Sequence, residues 1–386
     1  MLFVAGGSRH VIGLTLKPIA DELGWNREPL GLAVALFFVI SASCLFVSGL
    51  WADRSHPRTV MAVGALLSAV GIGGMSLIQD PWHAYFFYGG LFAMGSGVAS
   101  IVPVGVMASK WFPRRTGFAN AFAISGLSVG QLVVIAFLTS LLDPQDWRTA
   151  FVWLGIVNLC VLPIVLLCIS KNPGETTMQK SSEAQHKSPP VTSSLSKSLR
   201  SPHLWLLVAI YAVCGFQDFF VSTHIVAFAQ DRGVDHFFSG NLLALMGLTG
   251  LVGVIGAGLW GDYKGPMYGT LACFVLRIAV FALIYLDQSL PSIAVFALLY
   301  GSTFLVTAPL TLLFTRNAFG TKNIGTLTGL ITMIHHMAGG LGAYIGAWSF
   351  DRTGSYDEVL LLMLVLSIIT AGLTLMTRRP NLADTR

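Results

Sequence analysis

Four ionisable residues, Arg9, Lys17, Asp218 and Arg277, fall deep inside otherwise apolar stretches of this 386-residue chain. Arg9, Gly13 and Lys17 are spaced by four, so a helix would present them on one face. A guanidinium there offers a planar fork of donors that matches a carboxylate, and the attraction is strongest where water is scarce. Arg9 is therefore the candidate anion-binding residue, with Lys17 assisting it; the alternatives are an inter-helix pair, or snorkelling for Lys17 beside Pro18. Gln217, Asp218 and His224 form a second group. Gln217 and His224 are seven apart and share a helix face, with Asp218 about 100° away. A buried carboxylate or imidazole can titrate near neutrality, so Asp218 or His224 can carry a coupling proton while Gln217 and His224 touch substrate. His335 and His336 point about 100° apart, so one of them is expected to face a cavity. Arg277 reads mainly as a buried hydrogen-bonding residue and secondarily as a substrate contact.

The elements that position these groups are long and apolar. The chain is 54% hydrophobic and only 11% charged, whereas soluble domains carry about 25% charge. Apolar runs of about 20 residues, the length that crosses a hydrocarbon core as helix, recur at 2–22, 30–51, 59–79, 82–108, 117–142, 147–170, 203–229, 236–260, 266–287, 291–315, 322–348 and 356–377. The predicted fold class is an all-α integral membrane protein of twelve transmembrane helices. A polar segment rich in Ser, Lys, Pro and Gln divides it into halves 1–170 and 203–386, joined by a solvated linker over 171–202.

Of the 23 Lys and Arg, three lie inside spans, four (Arg27, Arg148, Arg232 and Arg352) lie on one face, and the other sixteen share a face with the linker and C-terminus. That asymmetry makes the sixteen-residue face cytoplasmic and accounts for the +5 charge without nucleic acid. The five cysteines are scattered through apolar runs and suggest neither disulfides nor a metal site. No phosphate loop, dinucleotide fingerprint or nucleophile elbow is present, so no cofactor is expected and the chain does not read as an enzyme. Arg9 is preceded by only eight residues, about 12 Å of helix, which predicts a native start upstream of Met1.

Gly49-Leu50-Trp51-Ala52-Asp53-Arg54 after the second span is echoed by Gly258-Leu259-Trp260-Gly261-Asp262-Tyr263 after the eighth, a duplication that fits a parallel repeat. With Arg58, these turns resemble the loop signature of the major facilitator superfamily, although His56 and Pro57 depart from its usual Gly and basic residue. The resemblance implies a cytoplasmic latch formed by Gly49, Asp53, Arg54, Arg58, Gly258 and Asp262. Gly24-Trp25 with Arg27, Trp111 to Gly117, Trp147-Arg148 and Phe350 to Tyr356 resemble the bacterial monocarboxylate-porter branch. What this implies is alternating access by two rocking halves, a small organic anion (mono- or dicarboxylate) in a central cavity, protons as coupling ion, a bacterial inner-membrane location and a monomer. The eighth span lacks the cation that such porters carry for the carboxylate. A proton-driven exporter of lipophilic compounds, an anion exchanger and a non-transporting membrane receptor are the alternatives.

Overall fold

In the computed structural model the described residues are 1–54, 57–100, 116–141, 146–168, 195–304, 306–319 and 324–377, and they are almost wholly helical. The helices are α1 (Leu2–Leu23), α2 (Arg27–Arg54), α3 (Pro57–Gly74), α4 (Pro81–Ala84), α5 (Ala93–Val98), α6 (Thr116–Leu141), α7 (Trp147–Cys168) and α8 (Leu195–Leu199). They continue with α9 (Pro202–Asp231), α10 (His236–Lys264), α11 (Pro266–Leu286), α12 (Leu290–Gly301), α13 (Thr307–Phe319), α14 (Ile324–Thr353) and α15 (Asp357–Met376).

Local chemistry sets many of these boundaries. Pro202 and Pro266 open α9 and α11, where a missing N–H costs nothing. Asp235 caps α10 by accepting from the Phe238 amide at 2.9 Å. Gly24 ends α1 at φ 65°, a left-handed conformation that favours glycine.

Seven of the described helices have the length and apolarity to cross a membrane: α2, α3, α7, α9, α10, α11 and α15. Their apolar side chains also face outward. Val152, Trp153, Ile156, Leu159, Ile164 and Leu167 expose much of their surface along α7, as a lipid-facing helix requires.

Two expected spans are not simple helices. The stretch predicted at 82–108 is α4 and α5 joined by a π-helical segment, Tyr85–Phe92, and its last residues lie outside the described ones. The stretch at 291–315 is divided: α12 ends at Gly301 and α13 starts at Thr307. Thr303 and Phe304 make turn hydrogen bonds back to Tyr300 and Gly301. Of the polar linker, residues 171–194 lie outside the described ones. Its last residues form the single helical turn α8 rather than coil, and Trp205 closes that turn by donating to the Leu199 carbonyl at 2.9 Å.

The packing pattern repeats on the two sides of the linker. Within the first group, α1 packs on α6 and α3 on α7; within the second, α9 packs on α14 and α11 on α15. The groups meet through α1 with α9, α2 with α14 and α6 with α10. Glycines permit the closest of these approaches. A Cβ at Gly13 would strike the Ser222 carbonyl of α9, and one at Gly31 would lie 2.6 Å from the Ala347 Cβ of α14. The glycine row on α14 divides between its two neighbours: Gly339, Gly342 and Gly346 face Phe219, Phe216 and His224 of α9, while Gly340 faces Ala35 of α2.

Candidate functional site

Arg9 lies where the two groups meet. Its guanidinium carbon is 4.4 Å from the ring centre of Phe219 on α9 and 4.9 Å from that of Phe38 on α2. Those two rings touch each other across the interface, 3.9 Å between centres. Faces of aromatic rings attract a cation but form no directed hydrogen bond with it. Nε and Nη2 of Arg9 are buried and have no hydrogen-bond partner among the described residues. These two atoms make up one edge of the guanidinium, the edge that takes a carboxylate side-on in two parallel bonds.

The surroundings of Arg9 supply further polar groups. The π-helical turn brings Tyr88 against α1, where its hydroxyl donates to the Arg9 carbonyl at 3.1 Å. His10 bonds the Gly6 carbonyl through Nδ1 at 2.7 Å, so that nitrogen carries the proton and Nε2 is the acceptor. Nε2 is buried and unpartnered among the described residues. Arg9, His10, Phe38, Tyr88, Ser222 and Thr223 line a cavity of about 10 Å³, room for about one water. The described helices of the two groups close around this point.

The histidines of α14 flank the same aromatic pair. His336 is 5.6 Å from Phe219 and 6.2 Å from Phe38, centre to centre, and its Nδ1 bonds the Thr332 carbonyl at 2.8 Å. His335 lies 5.6 Å from Phe219 on its edge and bonds the Tyr211 carbonyl through Nδ1 at 2.9 Å. Both rings therefore pack against Phe219, His335 edge-on and His336 tilted.

Asp218 and Gln217 belong to a cluster built around Arg277, which His335 adjoins: ligand atoms of His335, Cys214 and Asp218 lie within 4.8 Å of one another. Arg277 Nη2 meets Asp218 Oδ1 at 2.6 Å with both side chains buried. Tyr300 donates to the same oxygen at 2.9 Å, and the Cys214 thiol lies 3.4 Å from Oδ2. Arg277 also donates to Gln217 Oε1 at 3.1 Å, to Thr303 Oγ1 at 3.0 Å and to the Thr303 carbonyl at 3.2 Å. The last two bonds fall in the turn between α12 and α13, where backbone groups have left the helical ladder and need partners in a membrane. The Gln217 amide donates to the Met363 carbonyl and Ser367 hydroxyl of α15 at 2.9 and 2.8 Å. Gln217 thus turns toward α15, and it does not share surroundings with His224 despite the seven-residue spacing.

His224 sits two turns above Gln217 in α9. Nε2 bonds the Ala343 carbonyl at 2.8 Å and Nδ1 lies 3.2 Å from the Tyr356 hydroxyl. Tyr356 in turn accepts from Arg27 Nη1 at 2.7 Å. Arg27 forks onto Asp231, with Lys17 on the same carboxylate at 2.8 Å. Asp351 accepts from the amides of Arg27 and Glu28 at 3.0 and 2.6 Å, capping α2 from the other group of helices. Tyr344 donates to Glu28 at 2.7 Å. The two groups are therefore clamped together on the face that carries Arg27.

Of the predicted latch residues, Gly49, Asp53 and Arg54 fall in the last turns of α2 and Gly258 and Asp262 in α10, with side chains outside the described ones; Arg58 is half-buried in α3. Residues 111–115 of the Trp111 to Gly117 motif are likewise outside them. Sequence reasoning did not select Phe38, His10, Tyr88, Asp231, Asp351 or Tyr356. Tyr356 had a signal, since it closes the Phe350 to Tyr356 motif. Phe38 had none, being one aromatic among many.

Comparison with known proteins follows the same lines. Residues 1–343 match the family model described as Major Facilitator Superfamily. The chain is 26% identical over 380 residues to an uncharacterized MFS-type transporter, YcxA, of Bacillus subtilis (strain 168), covering 95% of this chain and 89% of that one. It is 25% identical over 347 residues to monocarboxylate transporter 12 of Rattus norvegicus, covering 82% and 71%. The crystal structure of the nucleoside transporter NupG superposes with a TM-score of 0.78 at 10% identity, covering 98% of this chain and 99% of that one.

Proposed function

Because this chain belongs to the Major Facilitator Superfamily and is a multi-pass membrane transporter of that fold, we propose that it moves a small organic anion, a mono- or dicarboxylate, by alternating access coupled to protons. In this reading twelve spans form two six-helix domains, 1–170 and 203–386, joined by a cytoplasmic linker over 171–202. The protein lies in a bacterial inner membrane as a monomer with its C-terminus in the cytoplasm. The face carrying Arg27 is then extracytoplasmic, and the clamp on that face describes a state closed to the outside.

One observation carries the reading: Arg9 presents a buried, unpartnered guanidinium edge at the seam between the groups, with aromatic faces in place of a carboxylate partner. A buried cation without a counter-ion is costly, and an incoming anion supplies the missing charge. His335 and His336 contact the aromatic pair from α14 and complete the substrate surroundings. The curated relative named as a monocarboxylate transporter supports the anion class. Asp218 is already compensated by Arg277, which favours His224 as the residue that takes the coupling proton. The Gly49 to Arg58 and Gly258 to Asp262 turns form the cytoplasmic latch that holds the opposite, outward-facing state.

The test is uptake of labelled mono- and dicarboxylates into sealed proteoliposomes, with and without an inward proton gradient, for wild type and Arg9→Gln. Uptake that depends on Arg9 and on the gradient is the expected result. Folded wild-type protein that moves no carboxylate overturns the anion assignment.

A further inference from the structure

His224 has its proton assigned by its neighbours. A carbonyl only accepts, so Nε2, which bonds Ala343 O, carries the hydrogen. Nδ1 of the neutral ring is then a bare acceptor, and the Tyr356 hydroxyl donates to it. The same phenol oxygen accepts from Arg27 Nη1. Tyr356 therefore works as a relay of fixed polarity: Arg27 donates to Tyr356, and Tyr356 donates to His224. Arg27 is also the residue that locks the closed face through Asp231.

The position is enforced by packing. His224 is fully buried, and a Cβ at Gly346 would lie 2.7 Å from its Nε2, so only glycine there leaves the ring its place against Ala343. Tyr356 is buried with no exposure and is fenced by Phe220, Phe228 and Phe350. The guanidinium carbon of Arg27 lies 3.8 Å from the centre of the Phe350 ring. None of the three groups can turn to a different partner without moving helices.

We propose that His224 is the residue through which protons open the outer face, with Tyr356 as the element that transmits its charge to the Arg27–Asp231 clamp. A proton on Nδ1 turns that nitrogen from acceptor to donor. Tyr356 then faces a donor on each side, its own hydrogen has no acceptor, and two cations flank one phenol oxygen. The charged groups around the relay do not absorb the new charge. On α9 itself, Asp231 is already shared by Arg27 and Lys17 of α1; on α14, Asp351 is committed to the amides that start α2, and Glu28 of α2 to Tyr344. From α14 the ring meets the Ala343 carbonyl and Gly346, which are uncharged. The relief available is separation of α2 from α9 and α15, which moves Arg27 away from His224 and breaks the clamp. The inference rests on the alternating-access reading above and deepens it: the proton would be loaded from the side that it opens.

The test uses no substrate, so its outcome is independent of the Arg9 assignment. Full-length protein in lipid nanodiscs, with native cysteines replaced by alanine and spin labels on Asn26→Cys and Glu358→Cys, reports the distance across the Arg27 face by pulsed electron paramagnetic resonance. Between about pH 8 and about pH 5, a window that brackets an ordinary imidazole, the longer-distance population should rise roughly tenfold. His224→Gln keeps a side chain that donates to Ala343 but cannot take the proton, and it should lose the response. Tyr356→Phe cuts the relay and should lose it too, which keeps the question answerable if the His224 variant does not fold. An unmoved wild-type distance overturns the proposal, and so does a full acid response in either variant.

Discussion

Arg27 and Asp231, 204 residues apart in sequence, meet fork to fork: Nη1 to Oδ2 at 2.7 Å and Nη2 to Oδ1 at 2.8 Å. The pair ties the start of α2 to the end of α9, and both side chains are mostly buried. Asp231→Asn leaves Arg27 and Lys17 without their shared counter-ion, a loss of about 1–3 kcal/mol from the closed state for a charge-assisted pair. The ratio of closed to open molecules should fall by about 5- to 150-fold. Spin-label distances across this face, at constant pH, measure it. An unchanged distribution would mean that the helix contacts alone hold the face shut.

Arg9 gives a second expectation. Arg9→Gln removes the charge and Arg9→Lys keeps it while losing the fork, so the two variants separate attraction from geometry. Loss of a charged hydrogen-bonding partner, about 1.5–3 kcal/mol, weakens the apparent affinity for a carboxylate by about 10- to 100-fold. Lysine should recover part of that loss. Concentration dependence of uptake into proteoliposomes reads both values, and equal behaviour of wild type and Arg9→Gln would remove Arg9 from the substrate path.

These two residues mark what the sequence could and could not convey. Arg9 was legible because a charge inside an apolar run has few explanations other than a site or a pair. Arg27 was also visible, as one of four loop charges on the sparse face and with the Gly24-Trp25 motif, but nothing showed that it reached Asp231. Lys17 was read as assisting Arg9 or as pairing between helices, and the structure shows the pair, but its partner, Asp231 across the groups, was not legible. Such pairings join residues hundreds of positions apart, and spacing along one helix says nothing of them. The seven described helices that can cross a membrane followed from apolar length alone, yet the division of 291–315 did not, since Thr303 and its neighbours are as apolar in aggregate as a continuous helix. The signal was Arg277 itself: a deep cation in a neighbouring span, whose donors meet the carbonyl and hydroxyl freed at that turn.

That role yields a third expectation. Asp218→Asn or Arg277→Gln leaves one buried charge without its partner, which costs about 3–5 kcal/mol. The double variant removes both charges and should cost less than the sum of the singles, with a coupling of about 2 kcal/mol or more. It should not reach wild-type stability, because Thr303 still loses the bonds from Arg277. Thermal unfolding of the detergent-solubilised protein measures all three. Strictly additive losses would mean that the two side chains act independently.

Gly13 and Gly130 make opposite use of the same freedom from a side chain. A Cβ at Gly13 strikes the Ser222 carbonyl on α9, in the other group of helices, whereas one at Gly130 strikes the Phe3 carbonyl on α1, within its own group. In the alternating-access reading proposed above, the α1–α9 contact is one that rocking can relieve, and the α1–α6 contact is not. Gly13→Val should therefore shift the distance distribution toward separation of the Arg27 face while leaving the unfolding temperature close to wild type. Gly130→Val has no alternative state in which to relax, and overpacking of this kind costs about 1–3 kcal/mol, read as a lower unfolding temperature without a conformational shift. If Gly13→Val instead destabilised the protein and left the distances unmoved, α1 and α9 would be fixed neighbours, and the seam would have to run elsewhere.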